Sequence, residues 1–145
     1  GSDFHDYNDG MEHAKKVGKP VIVDFTGYGC VNCRKMEASV WTKPEIKKII
    51  TEEYILISLF VDDKTPLEKP YEVTENGKIT KIKTFGDKWS YLQRYKFGAN
   101  SQPYYVLLDN DANPLKKPFF FTENASDFLK FLKSGLNKYK KDSRK

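Results

Sequence analysis

Val21-Ile22-Val23-Asp24-Phe25-Thr26-Gly27-Tyr28-Gly29-Cys30-Val31-Asn32-Cys33 is an apolar run that breaks at glycines and then meets two cysteines three apart. Such a run reads as a buried strand, and the Cys-x-x-Cys as the opening of a helix at Cys30. A thiol reacts as its thiolate, and a helix N-terminus favours negative charge. A free cysteine titrates near ~8.5, whereas the first cysteine of such a motif can fall to ~7 or well below. Cys30 is therefore the candidate nucleophile, and Cys33, one turn further in, is placed to resolve a mixed disulfide. The pair predicts thiol–disulfide exchange.

Two other uses of the pair are weaker. A structural zinc site needs about four ligands, and His5 and His13, both upstream and far apart, do not supply the second pair, so no metal is expected. A purely structural disulfide over so short a loop removes little chain entropy and stabilises little. No cofactor is implied beyond the Cys30–Cys33 disulfide itself.

The chain has 145 residues, 39% hydrophobic and 14% aromatic, enough for one soluble domain with a real core. No apolar run approaches the ~20 residues of a membrane span. The formal net charge of +5 is concentrated at one end. Lys138, Lys140, Lys141, Arg144 and Lys145 against Asp142 place +4 in residues 138–145, which reads as a frayed basic tail from about 141 to 145. No stripe of basic and aromatic residues points to nucleic acid. Gly1-Ser2 reads as a pair left by tag cleavage, with residues 1–5 a flexible lead, a domain over 6–140 and a longer natural protein expected.

Helical spacing marks 6–18, a segment from Cys30 to about Val40, one beginning near Pro44, another over 86–97 and a closing helix over 126–139. Strands are expected over 20–26, 54–61 and 104–108, with Leu115 to Phe121 pairing back as an antiparallel strand. Residues 63–85 read as an inserted surface excursion, with Asn76-Gly77 as a hairpin turn. Parallel strands with crossover helices and a terminal hairpin give an α/β sandwich, a central mixed sheet flanked by helices.

That order, with Cys-x-x-Cys after the first strand, resembles the thioredoxin fold over roughly 6–140. Asp24 lies six residues before Cys30, where the resemblance implies a buried acid behind the second cysteine. Pro103, after Ser101-Gln102, stands where the family has a cis-proline facing the disulfide. Cys30-Val31-Asn32-Cys33-Arg34-Lys35-Met36-Glu37 is most similar to the C-terminal periplasmic domain of DsbD-type thiol:disulfide interchange proteins, which have a valine after the first cysteine and a glutamate four residues after the second. The resemblance implies electrons received from a membrane-embedded donor domain and passed to periplasmic protein disulfides, cytochrome c biogenesis included, by a domain that is monomeric in isolation. Gly29 departs from the tryptophan usual before the first cysteine, leaving shielding of the sulfur to Tyr28, and the spacer lacks the proline of cytosolic thioredoxin.

The remaining candidates carry two readings each. Asp24 is either a buried acid, raised in pKa and able to take the proton Cys33 loses, or an exposed strand-end carboxylate. Glu37, on the Cys33 face of the helix, shares that proton work or is solvated. Tyr28 flanks the thiol or packs. Phe119-Phe120-Phe121 is edge-strand core or a docking patch. Gly29, with Gly27, would keep the approach to Cys30 open, and Gln102-Pro103 would offer free backbone to an extended substrate strand. The leading reading is a protein-disulfide reductase; the rivals are a disulfide oxidant or isomerase, and a non-catalytic module that binds through its insert.

Overall fold

The computed structural model describes residues 3–143. Helix α1 (Tyr7–Val17) starts where Asp6 caps the amide of Asp9 at 3.0 Å and stops at Gly18, whose φ of 69° ends the helix. Strand β1 (Val21–Thr26) is buried throughout. Cys30 caps α2 (Val31–Ser39), and Pro44 opens α3 (Pro44–Glu52). Strand β2 (Ile55–Phe60) follows, then the hairpin β3 (Pro66–Glu75) and β4 (Lys78–Thr84). Its turn is Asn76-Gly77, both with positive φ (49° and 79°), as a two-residue hairpin of this twist requires. A reciprocal Thr84–Asp87 capping box starts α4 (Phe85–Phe97). Strand β5 (Tyr104–Leu108) and helix α5 (Ala125–Asp142) complete the order.

The central sheet is mixed, in the order β2-β1-β5. Strand β1 runs parallel to β2 and antiparallel to β5, with Asp24 opposite Ser58 on one side and Tyr105 on the other. Alternation along β1 sends Val21, Val23 and Phe25 to a core shared with Ala14 of α1 and Trp89 of α4. Ile22 faces the other core, formed with Met36 of α2, Ile46 and Ile50 of α3, and Phe128, Phe131, Leu132 and Leu136 of α5. Asp24 shares the Ile22 side of the strand, so it points toward α2. The molecule is thus three layers, helices on both faces of the sheet, the α/β sandwich expected from the element order. No helix among the described residues is long and apolar enough to cross a membrane.

Residues 63–85 form the expected hairpin as a separate two-stranded sheet. Its base lies hard against the end of β2. Phe85 and Gly86 donate to the carbonyls of Thr65 (3.0 Å) and Asp63 (2.9 Å). A Cβ on Gly86 would stand 2.6 Å from the Val61 carbonyl oxygen, so only glycine allows this approach.

Three expectations need correction. The lead is not free over residues 3–5: Phe4 adds to the outer edge of β2, donating to Leu56 O at 2.9 Å and accepting from Ser58 N at 2.8 Å. The expected strand from Leu115 to Phe121 reduces to isolated bridges, Leu108 with Pro114 and Tyr105 with Phe119. Pro118 lacks an N–H, and the exposed Lys116-Lys117 stretch leaves the ladder between the bridges. The closing helix runs on to Asp142, whose carboxylate pairs with Lys138 one turn back at 3.0 Å, so the tail is ordered past 141. Gly1, Ser2, Arg144 and Lys145 lie outside the described residues.

Candidate active site

β1 ends at Thr26, and four residues later Cys30 caps α2. That short loop is held from two sides. Cys30 N donates to Gly27 O at 3.2 Å. Across from it, the Asp62 carboxylate accepts the amide of Tyr28 at 2.8 Å and that of Gly29 at 3.0 Å. A Cβ on Gly27 would lie 3.2 Å from an Asp62 oxygen, a tight contact to which the carboxylate would have to yield by a few tenths of an ångström. Partial desolvation raises the Asp62 pKa, but the amides of Gly29 and Tyr28 outweigh it and hold the group below the usual carboxylate range. The Tyr28 ring stacks on Phe60, centroids 4.1 Å apart, and remains 61% exposed. Its contact is packing on the end of β2.

Cys30 and Cys33 are joined as a disulfide. Cys30 is half-buried and its Sγ accepts the Cys33 amide at 3.2 Å, so the sulfur itself caps the helix. Cys33 is 1% exposed. The Cys33 amide at the head of α2 points at the Cys30 sulfur, an arrangement that favours thiolate once the disulfide is reduced.

Asp24 is 2% exposed. Ser58 Oγ donates to its Oδ2 at 3.4 Å, while Oδ1 has no hydrogen-bond partner. Burial, reinforced by the Glu37 charge, pushes its pKa up to about 8, against the opposing pulls of Ser58 and Arg34. The strand-end alternative for Asp24 therefore falls: the group is buried. Glu37 is half-buried, and burial lifts its carboxyl above the ordinary value while Arg34 pulls it back. Arg34 Nη2 donates to Glu37 Oε2 at 2.8 Å and to Thr26 Oγ1 at 3.1 Å. Burial, with Asp24 nearby, also pushes the Tyr105 hydroxyl pKa up.

The Gln102–Pro103 peptide bond is cis, and Pro103 is buried immediately before Tyr104, the partner of Phe25. The Gln102 side chain turns inward, donating to Gln93 Oε1 at 3.0 Å, and Gln93 Nε2 in turn donates to Ser101 O at 2.8 Å. Any contact of Gln102 with a substrate would thus come from its backbone. Of the three phenylalanines, Phe119 packs on Phe128 and Phe131, whereas Phe120 is 55% exposed, edge-on to Tyr104.

Cys30, Cys33, Tyr28, Gly29 and Pro103 thus gather where the loop leaves β1, with Glu37 on α2 and Asp24 beneath that helix. Sequence reading missed Arg34, Asp62 and Gln93. The i,i+3 spacing of Arg34 and Glu37 could have revealed their pairing. Asp62 acts across more than thirty residues and gave no local sign.

A family model described as "Thioredoxin-like domain" matches residues 7–135. No curated protein sequence matches the chain. Among solved structures, a DsbH oxidoreductase superposes with a TM-score of 0.64 at 18% identity, covering 93% of this chain and 84% of that one. A thioredoxin from Thermus thermophilus gives 0.62 at 20% identity, with 90% and 84% covered. The reduced C-terminal domain of DsbD from Neisseria meningitidis gives 0.61 at 18% identity, covering 91% and 98%. At these identities the superpositions speak to fold alone. With the family match spanning most of its length, the chain belongs to the thioredoxin-like domain family and carries a Cys30–Cys33 disulfide at the head of its second helix.

Proposed function

We propose that the protein is a protein-disulfide reductase, passing electrons from its Cys30–Cys33 dithiol to protein disulfides, as the periplasmic domain of a membrane-tethered electron conduit. The observation that carries the direction is the set of carboxylates around the dithiol. Asp24 lies beneath α2 and Glu37 on it, and Asp62 binds the amide next to Cys30, with Arg34 as the facing cation. A dithiol is oxidising when its reduced, thiolate form is stabilised. Negative charge on Asp62 and Glu37, joined by Asp24 when it ionises, works against that thiolate, which makes the pair a better electron donor. The periplasmic setting and the membrane-embedded donor rest on the resemblance of the Cys30-to-Glu37 segment to DsbD-type domains.

In the forward reaction, the Cys30 thiolate attacks one sulfur of the target disulfide, and the other target sulfur leaves as thiolate. Cys33 then gives its proton to ionised Asp24 and attacks Cys30 Sγ. The second target sulfur leaves as thiolate and the Cys30–Cys33 disulfide forms; two electrons have moved to the target. A buried acid with a pKa of about 8 is close to that of an ordinary thiol, so the proton passes in either direction at little cost. The target strand would lie along the backbone beside Pro103, held by main-chain bonds that tolerate many sequences.

Insulin reduction by dithiothreitol tests the reading. The protein should accelerate it, and Cys30→Ser should abolish the acceleration. No acceleration by a protein whose two thiols both titrate would identify a binding module instead.

A further inference from the structure

Arg34 directly follows Cys33, and one of its guanidinium nitrogens bridges two elements. Nη2 reaches Glu37 Oε2 on α2 and Thr26 Oγ1 at the end of β1, two residues beyond Asp24. The pair is accessible at its rim, with 43% of the Arg34 side chain and 36% of the Glu37 side chain exposed, but it closes over a carboxyl that is fully buried. Without a cation, Glu37 and Asp24 would be two like charges sharing one helix–strand junction, each disfavouring ionisation of the other. The groups acting on Asp24 are Glu37 and Arg34 from α2, Ser58 from β2 and Asp3 from the lead, with Tyr105 facing it from β5. Among these, Arg34 is the cation.

We propose that Arg34 is a positioning residue for the exchange reaction: it pins Glu37 to the end of β1 as a fixed, half-neutralised anion and so sets the proton affinity of Asp24. This rests on Asp24 being the group that trades a proton with Cys33. A guanidinium suits the task because it stays charged at all working pH values and its planarity fixes the directions of the two Nη2 hydrogens that serve the carboxylate and the hydroxyl. Lysine would keep the charge but lose that fixed direction.

The test reads the carboxyl directly. Asp24 is titrated by carbon-13 NMR in the oxidised protein, in wild type, Arg34→Met, Arg34→Lys, Glu37→Gln and the Arg34→Met/Glu37→Gln pair. Arg34→Met should move the Asp24 midpoint up by about one pH unit, and Arg34→Lys by less than half as much. In the Glu37→Gln background the same Arg34→Met change should produce a clearly smaller shift, the coupling a double-mutant cycle isolates. The pH profile of mixed-disulfide resolution should move with the midpoint. Arg34→Gln replaces the Met variant if that one fails to fold. An unshifted midpoint, or an equal shift with and without Glu37, overturns the proposal. Unshifted midpoints in variants that reduce insulin normally leave the reductase reading standing. Shifted midpoints in a wild-type background that reduces no disulfide would uphold the role of Arg34 and remove that reading.

Discussion

A carboxyl group buried beneath α2 must ionise without hydration, and Asp24 faces that cost with one weak hydrogen bond from Ser58. Its pKa near 8 in the folded protein stands well above the ~3.9 of an unfolded aspartate. Between those values the folded state binds more protons at this group than the unfolded state, so its contribution to stability is greatest below pH ~4 and declines as pH rises toward 8. Asp24→Asn removes the titration. The oxidised variant should be more stable than wild type by about 4 kcal/mol at pH 7, with the gap closing near pH 4. Urea unfolding at several pH values measures this. The same variant should resolve mixed disulfides more slowly, so that a Cys30-linked intermediate accumulates on mixing with a disulfide substrate. Equal stability at pH 7 and unchanged kinetics would mean that Asp24 is neither ionised in exchange nor destabilising. Its burial was legible in the sequence because it interrupts an apolar run. Arg34 was overlooked as one basic residue among many, although its spacing to Glu37 carried the pairing.

Elements built on local pattern agree with the sequence, and those that depend on distant edges do not. β1, the turn into α2, the Asn76-Gly77 hairpin and the capped ends of α1 and α4 all follow from residues within a few positions of each other. The lead at Phe4 has no such signal, since its partner is the free edge of β2 more than fifty residues away. Likewise Leu115 to Phe121 is apolar enough for a strand, yet Pro118 and the paired lysines reduce it to bridges. The Asp62 clamp on the Tyr28-Gly29 amides belongs to the same class of long-range contact. Deleting residues 1–5 tests the lead as a structural element. The loss of two backbone hydrogen bonds and a half-buried Phe4 ring should lower stability by about 2 kcal/mol. A denaturant midpoint unchanged by the deletion would show that the lead contributes nothing to the sheet.

Across the whole molecule, three strand ends converge at one place. β1 delivers the loop to Cys30, the parallel β2 delivers Asp62, and the antiparallel β5 begins there after Pro103. The helices on either face bury the sheet and leave this end open, with the hairpin base beside it at Asp63 and Gly86. The site is therefore a product of topology, and its charge is a product of what meets there: Asp24 on β1, Asp62 after β2, and Glu37 paired with Arg34 on α2. That balance is the physical basis for reading the protein as an electron donor. Equilibrium titration of the Cys30–Cys33 couple against glutathione tests it most directly. The account expects a reduction potential below about −180 mV, toward the −270 mV of thioredoxin, and a value above that, toward the −120 mV of a strong oxidant, would contradict it.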